Sequence, residues 1–431
     1  MLAVREGKLN IRLTKLGLDH FIDAALLLLL FMLFTFDHAE VGLSALYYVS
    51  YFLFVGFTFV KVLVRIRVDG TVKLSGITLW YLAFALFSAA TSFWSDYPEV
   101  LLEAAVRMLQ IILLLFCISQ TYATQQGIVR CLKLVSWAAT LDVLYIFIMT
   151  PPDEWFNGYF GMELTGQNAN VIGMILTVTT MITAYFAYYC KQRVYYISLA
   201  LQVFAALLTS SRKTFVAICM GFIMLIFLKD RSVKLLFRIL FVTLAIIAVI
   251  YAIMNIPQLY LAIGQRFESM LNYLTDTDVD NSMYMRRMFI YYAKQFFAEH
   301  PILGNGPNSF ALRIVDILGE SDYAHNNYYE ILVSYGIVGF MLYYGMYAYI
   351  VAKLIKAVVV SENGGAKLML TVMTVILICE YGIVLYYSVY AMVFLSVAFM
   401  FVCAYDNSLR RPPSLNRNNR YKVREDDIKW I

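Results

Sequence analysis

Two pairs of adjacent basic residues are the strongest candidates for binding an anion. Arg212 and Lys213 follow a Thr-Ser-Ser sequence after an apolar run, and Arg286 and Arg287 begin a helical stretch in a polar segment. The planar guanidinium of arginine suits phosphate oxygens. Neighbouring side chains on a helix point about 100° apart, so only one of the second pair is expected to face a shared site. The plainer alternatives are membrane anchoring for the first pair and salt bridges to the aspartates of 276–280 for the second.

His325, one of only four histidines, lies in the sequence Ala-His-Asn-Asn just before an apolar run. A neutral imidazole at the membrane surface can act as a general base toward a substrate hydroxyl. Asn326 is its neighbour and Glu330 lies about one helical turn further on. Both are therefore candidates to orient the imidazole and to contact substrate, although a lone histidine is more often structural.

Sequence motifs for other chemistries are missing. The chain has no GxxxxGK[ST], HExxH or GxSxG, and its six cysteines include no CxxC pair. These patterns would mark a nucleotide-driven pump, a zinc protease or a serine hydrolase. No metal site and no other cofactor are expected.

The composition is that of a membrane protein. Of the 431 residues, 61% are hydrophobic and 15% are charged, whereas soluble domains are about 45–50% apolar and roughly 25% charged. A soluble enzyme, a disordered chain and a small disulfide scaffold are therefore excluded. The net charge of +5 indicates no nucleic-acid partner, because the basic residues lie between apolar runs.

The elements that must position these residues are membrane-spanning helices. A helix needs about 20 mostly apolar residues to cross a bilayer, and only helices or closed barrels satisfy the backbone there. The expected fold is all-α, a polytopic integral membrane protein with about twelve transmembrane helices and one large outer loop containing short helices. The apolar runs are approximately 21–36, 43–60, 77–94, 101–118, 128–149, 168–190, 194–211, 213–228, 234–254, 328–352, 367–384 and 386–404. The last two are separated only by a weak break near Glu380, so eleven spans is the alternative.

The distribution of basic residues predicts the orientation. Most of the 34 Lys and Arg lie on one side if both termini are cytoplasmic, as the positive-inside rule requires. The expected organisation is a cytoplasmic tail (1–20), helices one to nine (21–254), a large periplasmic or extracellular catalytic loop (255–327), helices ten to twelve (328–405) and a basic cytoplasmic tail (406–431). Loops this long usually have a function. This one should contain a helix over Met283–Glu299 and a turn over Pro301–Pro307.

Several segments follow one another in an order found in a known family. Arg286 opens a helix that leads into Pro-Ile-Leu-Gly-Asn-Gly306, and then come Ala-His-Asn-Asn-Tyr328 and Gly-Ile-Val-Gly339. This order resembles the O-antigen ligase and polymerase superfamily of bacterial envelope glycan assembly. Ile290 stands where the family usually has Trp.

Two upstream segments extend the resemblance to about residues 158–345. They are Gly166-Gln-Asn-Ala-Asn170 and Ser211-Arg212, and they add Asn168 and Asn170 as candidates for substrate binding.

The resemblance implies a metal-independent, inverting glycosyltransferase that acts on the outer face of the bacterial cytoplasmic membrane. Its donor would be a glycan linked through pyrophosphate to undecaprenol. Arg212 and Arg286 would bind the pyrophosphate, and His325 would assist attack by the acceptor hydroxyl. Besides the membrane, a flippase and a chain-length regulator are candidate partners.

Two reactions and one unrelated function remain as alternatives. A polymerase adds chains to a lipid-linked repeat unit of O-antigen, capsule or exopolysaccharide, whereas a ligase transfers the lipid-linked polysaccharide to lipid A core or to protein. Polymerase is favoured because nothing in 255–285 or 307–322 marks a lipid A core site. A twelve-span polysaccharide or solute transporter is more distant, and it would depend on charges within spans such as Glu103 and Arg107.

Overall fold

The computed structural model describes residues 17–36, 41–72, 74–156, 160–229, 234–265, 268, 281–319, 321–361 and 363–410. Within these ranges the regular structure is helical, with no strand. Eight of the helices found there are long and apolar enough to cross a membrane. The predicted class, an all-α polytopic membrane protein, is confirmed, whereas the exact number of spans and the domain limits stay predictions.

Each predicted apolar run contains one long helix. The longer helices of the described residues are α1 (Leu18–Phe36), α2 (Val41–Asp69), α3 (Gly76–Ala90), α4 (Leu101–Tyr122), α5 (Gln125–Met149), α6 (Ala169–Ala184), α7 (Val194–Leu208), α8 (Arg212–Lys229), α9 (Lys234–Asn255), α10 (Asn281–Glu299), α11 (Ser309–Leu318), α12 (Asn327–Ser361), α13 (Gly364–Glu380) and α14 (Val389–Arg410). The helix predicted in the outer loop is α10. Residues 381–388 separate α13 from α14, as the twelve-run reading expected.

Parts of the predicted organisation lie outside the described residues. Most of the tail 1–20, all of 411–431, and the stretch 269–280 with its candidate salt-bridge aspartates belong to this group.

Several of these helices begin at a polar N-cap residue. The side chains of Thr124, Asn168 and Asn363 accept hydrogen bonds from backbone amides in the first turns of α5, α6 and α13. An N-cap of this kind satisfies a donor that the helix itself leaves unpaired. Helix α6 lies at the centre of the bundle, where it packs against α5, α7, α8 and α13.

A break in α12 is filled by the loop that follows α10. Gly336 has φ 61° and ψ −166°, values that interrupt the helix. The amides of Asn305 and Gly306 donate to the carbonyls of Val333 (3.1 Å) and Ser334 (2.8 Å). In the other direction, Ile337 and Val338 donate to the carbonyls of 301 and 302, at 2.9 and 3.1 Å. The predicted turn over 301–307 thus replaces the hydrogen bonds that the helix loses at its break.

The loop is also held from the α3–α4 connection. The Trp94 indole donates to the Gly304 carbonyl at 3.1 Å, and the Ser95 hydroxyl donates to the Asn305 carbonyl at 2.7 Å. The Asn305 amide donates to the Asp96 carboxylate at 2.7 Å. The turn is therefore held between the α3–α4 connection and the break in α12.

We expect Gly336→Ala to destabilise the protein by about 1–3 kcal/mol or more, because its backbone conformation disfavours a side chain. An added Cβ would also lie 2.4 Å from the Ile302 carbonyl. The measurement is the thermal unfolding midpoint of the purified protein in detergent. Gly345→Ala is the matched control, since it lies in the same helix with open space around its Cβ position. Equal midpoints for the two variants would contradict this account of the break.

Candidate active site

The first turns of α6 and α8 meet at one end of the bundle. The Ser211 hydroxyl donates to the Asn170 side-chain oxygen at 3.1 Å. Gly173 allows this approach, because a Cβ there would lie 1.8 Å from the Thr214 hydroxyl oxygen. Arg212 therefore lies beside the segment that contains Asn170. Asn168 is exposed, and its side chain accepts from the Asn170 amide at 2.8 Å.

Lys213 connects α8 to the segment after α13. Its ammonium donates to the Gly382 carbonyl at 2.8 Å. A Cβ at position 382 would lie 1.9 Å from the Lys213 Nζ, so a side chain there would displace the end of Lys213. Lys213 also interacts electrostatically with Arg286 and Arg212. The structure thus brings Arg212, Lys213 and Arg286 together. The bond to the Gly382 carbonyl also fixes the position of the Lys213 side chain.

Helix α10 presents Arg286 to this region and Arg287 to the outside. Its apolar stripe of Phe289, Ala293 and Phe296 packs against α11 and α12. Arg286 lies one turn before Phe289 and is half-buried, whereas Arg287 is exposed. The two side chains thus differ in exposure, and the expectation that only one of them contributes to a shared site stays a prediction.

His325 is held by aromatic rings and by a carboxylate. Its ring stacks on that of Phe289, with the ring centroids 5.7 Å apart and the planes at 14°. The ring centroids of His325 and Tyr323 are 4.1 Å apart. Its Nε2 lies 2.9 Å from the Asp322 carboxylate. Nδ1 is buried and has no hydrogen-bond partner among the residues that the structure describes. The His325 backbone has φ 50°, a left-handed conformation that histidine, asparagine and aspartate adopt more readily than most residues.

The carboxylate next to His325 is therefore Asp322, which the sequence analysis did not single out. Its spacing of three residues from His325 was the available signal. The side chain of Asp322 is 38% exposed and that of His325 is 15% exposed, so the pair presents its carboxylate to the outside. Tyr323 interacts with both Asp322 and Arg286. Burial raises the pKa of Tyr323 to about 12, so its phenol stays neutral and can donate a hydrogen bond.

Among the described residues, the side chains of Asn326 and Glu330 accept hydrogen bonds from backbone amides and not from His325. Both are buried. The Asn326 side-chain oxygen accepts from the amides of Tyr328 (3.0 Å) and Tyr329 (3.2 Å) and so caps α12. The Glu330 carboxylate accepts from the Ala324 amide at 2.8 Å. These two residues fix the backbone on either side of His325, which is an indirect way of orienting it.

The arrangement suits an anion. The first turns of α6, α8 and α12 lie at the same end of the bundle, because the segment after α13 contacts both Lys213 and the side chain of Asn327. Helix N-termini carry partial positive charge, which adds to that of Arg212, Lys213 and Arg286. Within the described ranges, no group of three or more His, Cys, Asp or Glu side chains is placed to hold a metal ion.

The sequence matches one protein family. Residues 197–344, about a third of the chain, match the model of the O-antigen ligase family. This stretch contains Arg212, Arg286 and His325, whereas Asn168 and Asn170 lie before it. No curated protein matches the chain. The predicted resemblance is confirmed, and the match supports a glycosyl-transferring function of the O-antigen ligase or polymerase type.

Proposed function

We propose that this chain, whose residues 197–344 match the O-antigen ligase family, polymerises lipid-linked oligosaccharide repeat units. The donor is a glycan on undecaprenyl pyrophosphate, and the acceptor is a second lipid-linked repeat unit. The reaction occurs on the outer face of the bacterial cytoplasmic membrane, and both termini are cytoplasmic. It requires no metal ion.

One observation carries the proposal: two arginines, a half-buried lysine and a histidine–carboxylate pair lie around one region. Lys213 interacts with Arg212 and Arg286, and Arg286 interacts with Tyr323, the neighbour of both Asp322 and His325. Phosphate oxygens are the natural ligand of such a cation cluster. A carboxylate-bound imidazole beside it provides the group that accepts a proton.

The chemistry follows from this placement. The acceptor hydroxyl oxygen attacks the anomeric carbon of the donor, a new glycosidic bond forms, and the bond from that carbon to the pyrophosphate oxygen breaks. The His325–Asp322 pair takes the hydroxyl proton, and the carrier pyrophosphate leaves with the bonding electrons. Arg212 and Arg286 stabilise the negative charge that develops on it. Attack opposite to the leaving group inverts the anomeric centre.

Ligation of the finished chain to lipid A core or to protein uses the same chemistry with another acceptor. The cation cluster and the His325–Asp322 pair serve both reactions equally well. Polymerisation stays the favoured reaction only because no segment of the outer loop marks a lipid A core site.

Transport is less well supported than transfer. Besides Glu103 and Arg107, Asp23 and Asp142 also lie within the predicted spans, and both have structural partners. Asp142 accepts a hydrogen bond from Thr35 at 2.8 Å, and Asp23 accepts one from Tyr122 at 2.7 Å. Such pairing is the usual state of a structural charge inside a membrane protein.

The proposal is tested by the envelope glycans of a strain that lacks this protein. We expect single repeat units with no ladder of longer chains, in both the lipid-linked and the surface-attached fractions. Long chains that accumulate on the carrier without reaching their final acceptor would instead identify a ligase. Complete chains on the final acceptor would contradict both transfer reactions. A strain that carries the gene on a plasmid controls for secondary effects of the deletion.

A further inference from the structure

A second polar region lies at the end of the bundle opposite to the candidate active site. It is a partly open cavity of about 730 Å³. Its walls come from the start of α1, α3 and α5 and from the end of α2, α4 and α14. Helix α14 begins beside the candidate active site, after the 381–388 segment, so its last turns lie at the other end. Nothing in the proposed transfer reaction uses this cavity.

Among the residues that the structure describes, three basic side chains line the cavity. Lys61 pairs with Asp19 at 2.6 Å, and Arg130 lies 3.6 Å from Asp23. Arg65 donates only to the neutral Gln120, to its side-chain oxygen at 3.0 Å and to its carbonyl at 3.2 Å, among the described residues. Within the described part of the chain, the positive charge at the cavity therefore exceeds what the neighbouring carboxylates neutralise.

Two buried polar atoms at the cavity have unused hydrogen-bonding capacity. Neither the Thr121 hydroxyl nor the Arg130 Nε has a hydrogen-bond partner in the part of the chain that the structure describes. The Thr121 residue is only 6% exposed. A buried polar group without a partner costs about 1–3 kcal/mol, so a ligand that supplies acceptor oxygens at this place would be stabilised.

One wall of the cavity is apolar. It is formed by Phe399, Met400 and Cys403 of α14 together with Leu74. A ligand that fits both walls has an anionic head and a hydrocarbon body. The position at the ends of membrane-spanning helices is also where lipid headgroups lie.

We propose that this cavity binds the phosphodiester headgroup of an anionic membrane phospholipid. Arg65 and Arg130 contact the phosphate oxygens, the Thr121 hydroxyl donates to one of them, and an acyl chain lies along Phe399 and Met400. Basic pockets between transmembrane helices bind anionic headgroups in this way. The lipid joins the ends of helices α1, α2, α4, α5 and α14 on the membrane face away from the transfer reaction.

Native mass spectrometry of the purified protein in detergent tests the proposal with phosphatidylglycerol as the probe. We expect the wild type to retain one phosphatidylglycerol molecule more tightly than phosphatidylcholine. Arg65→Gln and Arg130→Gln should each weaken this binding at least about tenfold, as the loss of one charge-assisted hydrogen bond predicts. Thr121→Val keeps the charge and the side-chain shape, and it should also weaken binding, which separates the headgroup contact from any folding defect of the arginine variants.

Arg193→Gln is the matched control. It removes one exposed cation from the start of α7, at the same end of the bundle but outside the cavity, and should leave binding unchanged. Equal binding by wild type, Arg130→Gln and Thr121→Val would overturn the proposal. So would equal retention of phosphatidylcholine. Protection of the wild type against thermal unfolding by inorganic phosphate, as large as that by phosphatidylglycerol, would assign the cavity to a free anion instead of a lipid.

Discussion

Arg286→Ala and Arg212→Ala each reduce glycan transfer by at least about 100-fold, the loss expected when one donor to a developing negative charge is removed. In the proposed reaction the pyrophosphate gains negative charge as its bond to the anomeric carbon breaks, and no metal ion is invoked to neutralise that charge. The measurement is transfer from purified lipid-linked glycan by equal amounts of folded protein. Arg286→Lys and Arg212→Lys should recover part of the rate, because lysine keeps the charge but lacks the planar fork of donors.

Lys294→Ala provides the control for these variants. Lys294 is an exposed cation on α10, the same helix as Arg286, but lies two turns further along and away from the cluster. It should transfer glycan at nearly the wild-type rate. If Arg212→Ala and Arg286→Ala are as active as Lys294→Ala, the cluster does not bind the leaving group and the proposed chemistry fails.

The second large effect concerns the His325–Asp322 pair. His325→Asn should lower the rate of transfer by about 10²–10⁴-fold, the usual contribution of a general base. Asparagine is the appropriate replacement because it tolerates the left-handed backbone at this position. Asp322→Asn keeps the shape of the side chain and removes only its charge. If the two residues accept the proton as a unit, the double variant should be no slower than His325→Asn alone, since groups that act together give non-additive losses.

Two results would reject this role. The first is wild-type activity in His325→Asn at an unchanged thermal midpoint. The second is additive losses in the double variant, which would mean that Asp322 and His325 act separately. If the thermal midpoint of His325→Asn is lowered, Tyr323→Phe serves as the control. It changes a ring in contact with His325 but leaves the candidate base in place, so it should keep most of the activity.

The helices were predictable because apolar periodicity and span length are local properties of the sequence. Each predicted apolar run corresponds to one helix, and the turn after α10 follows from its proline and glycines. The different directions of the Arg286 and Arg287 side chains were also predictable, since helical geometry alone places neighbouring residues on different faces. These expectations needed no knowledge of which helices pack together.

Contacts between distant parts of the chain were not predictable in the same way. Nothing in the sequence links Lys213 to the Gly382 carbonyl, because their separation of 169 positions carries no periodic signal. Asp322 was not predictable from helical spacing, because it lies before His325 in an irregular segment and not in the helix that follows. The buried cap made by Asn326 is likewise a product of packing, since the same residue type at an exposed position could contact substrate.

The backbone hydrogen bonds between the turn at 301–306 and the break at Gly336 fix the turn in place. Withdrawal of the turn would leave two carbonyls and two amides of α12 without these partners, and each such group costs about 1–3 kcal/mol where it stays buried. The turn cannot therefore swing aside as a lid, and the acceptor must enter past other segments. The same bonds impose an order on biogenesis: α12 reaches its final form only after the preceding loop has returned to it. The amides that make these bonds should accordingly be among the last in this region to exchange with deuterated water.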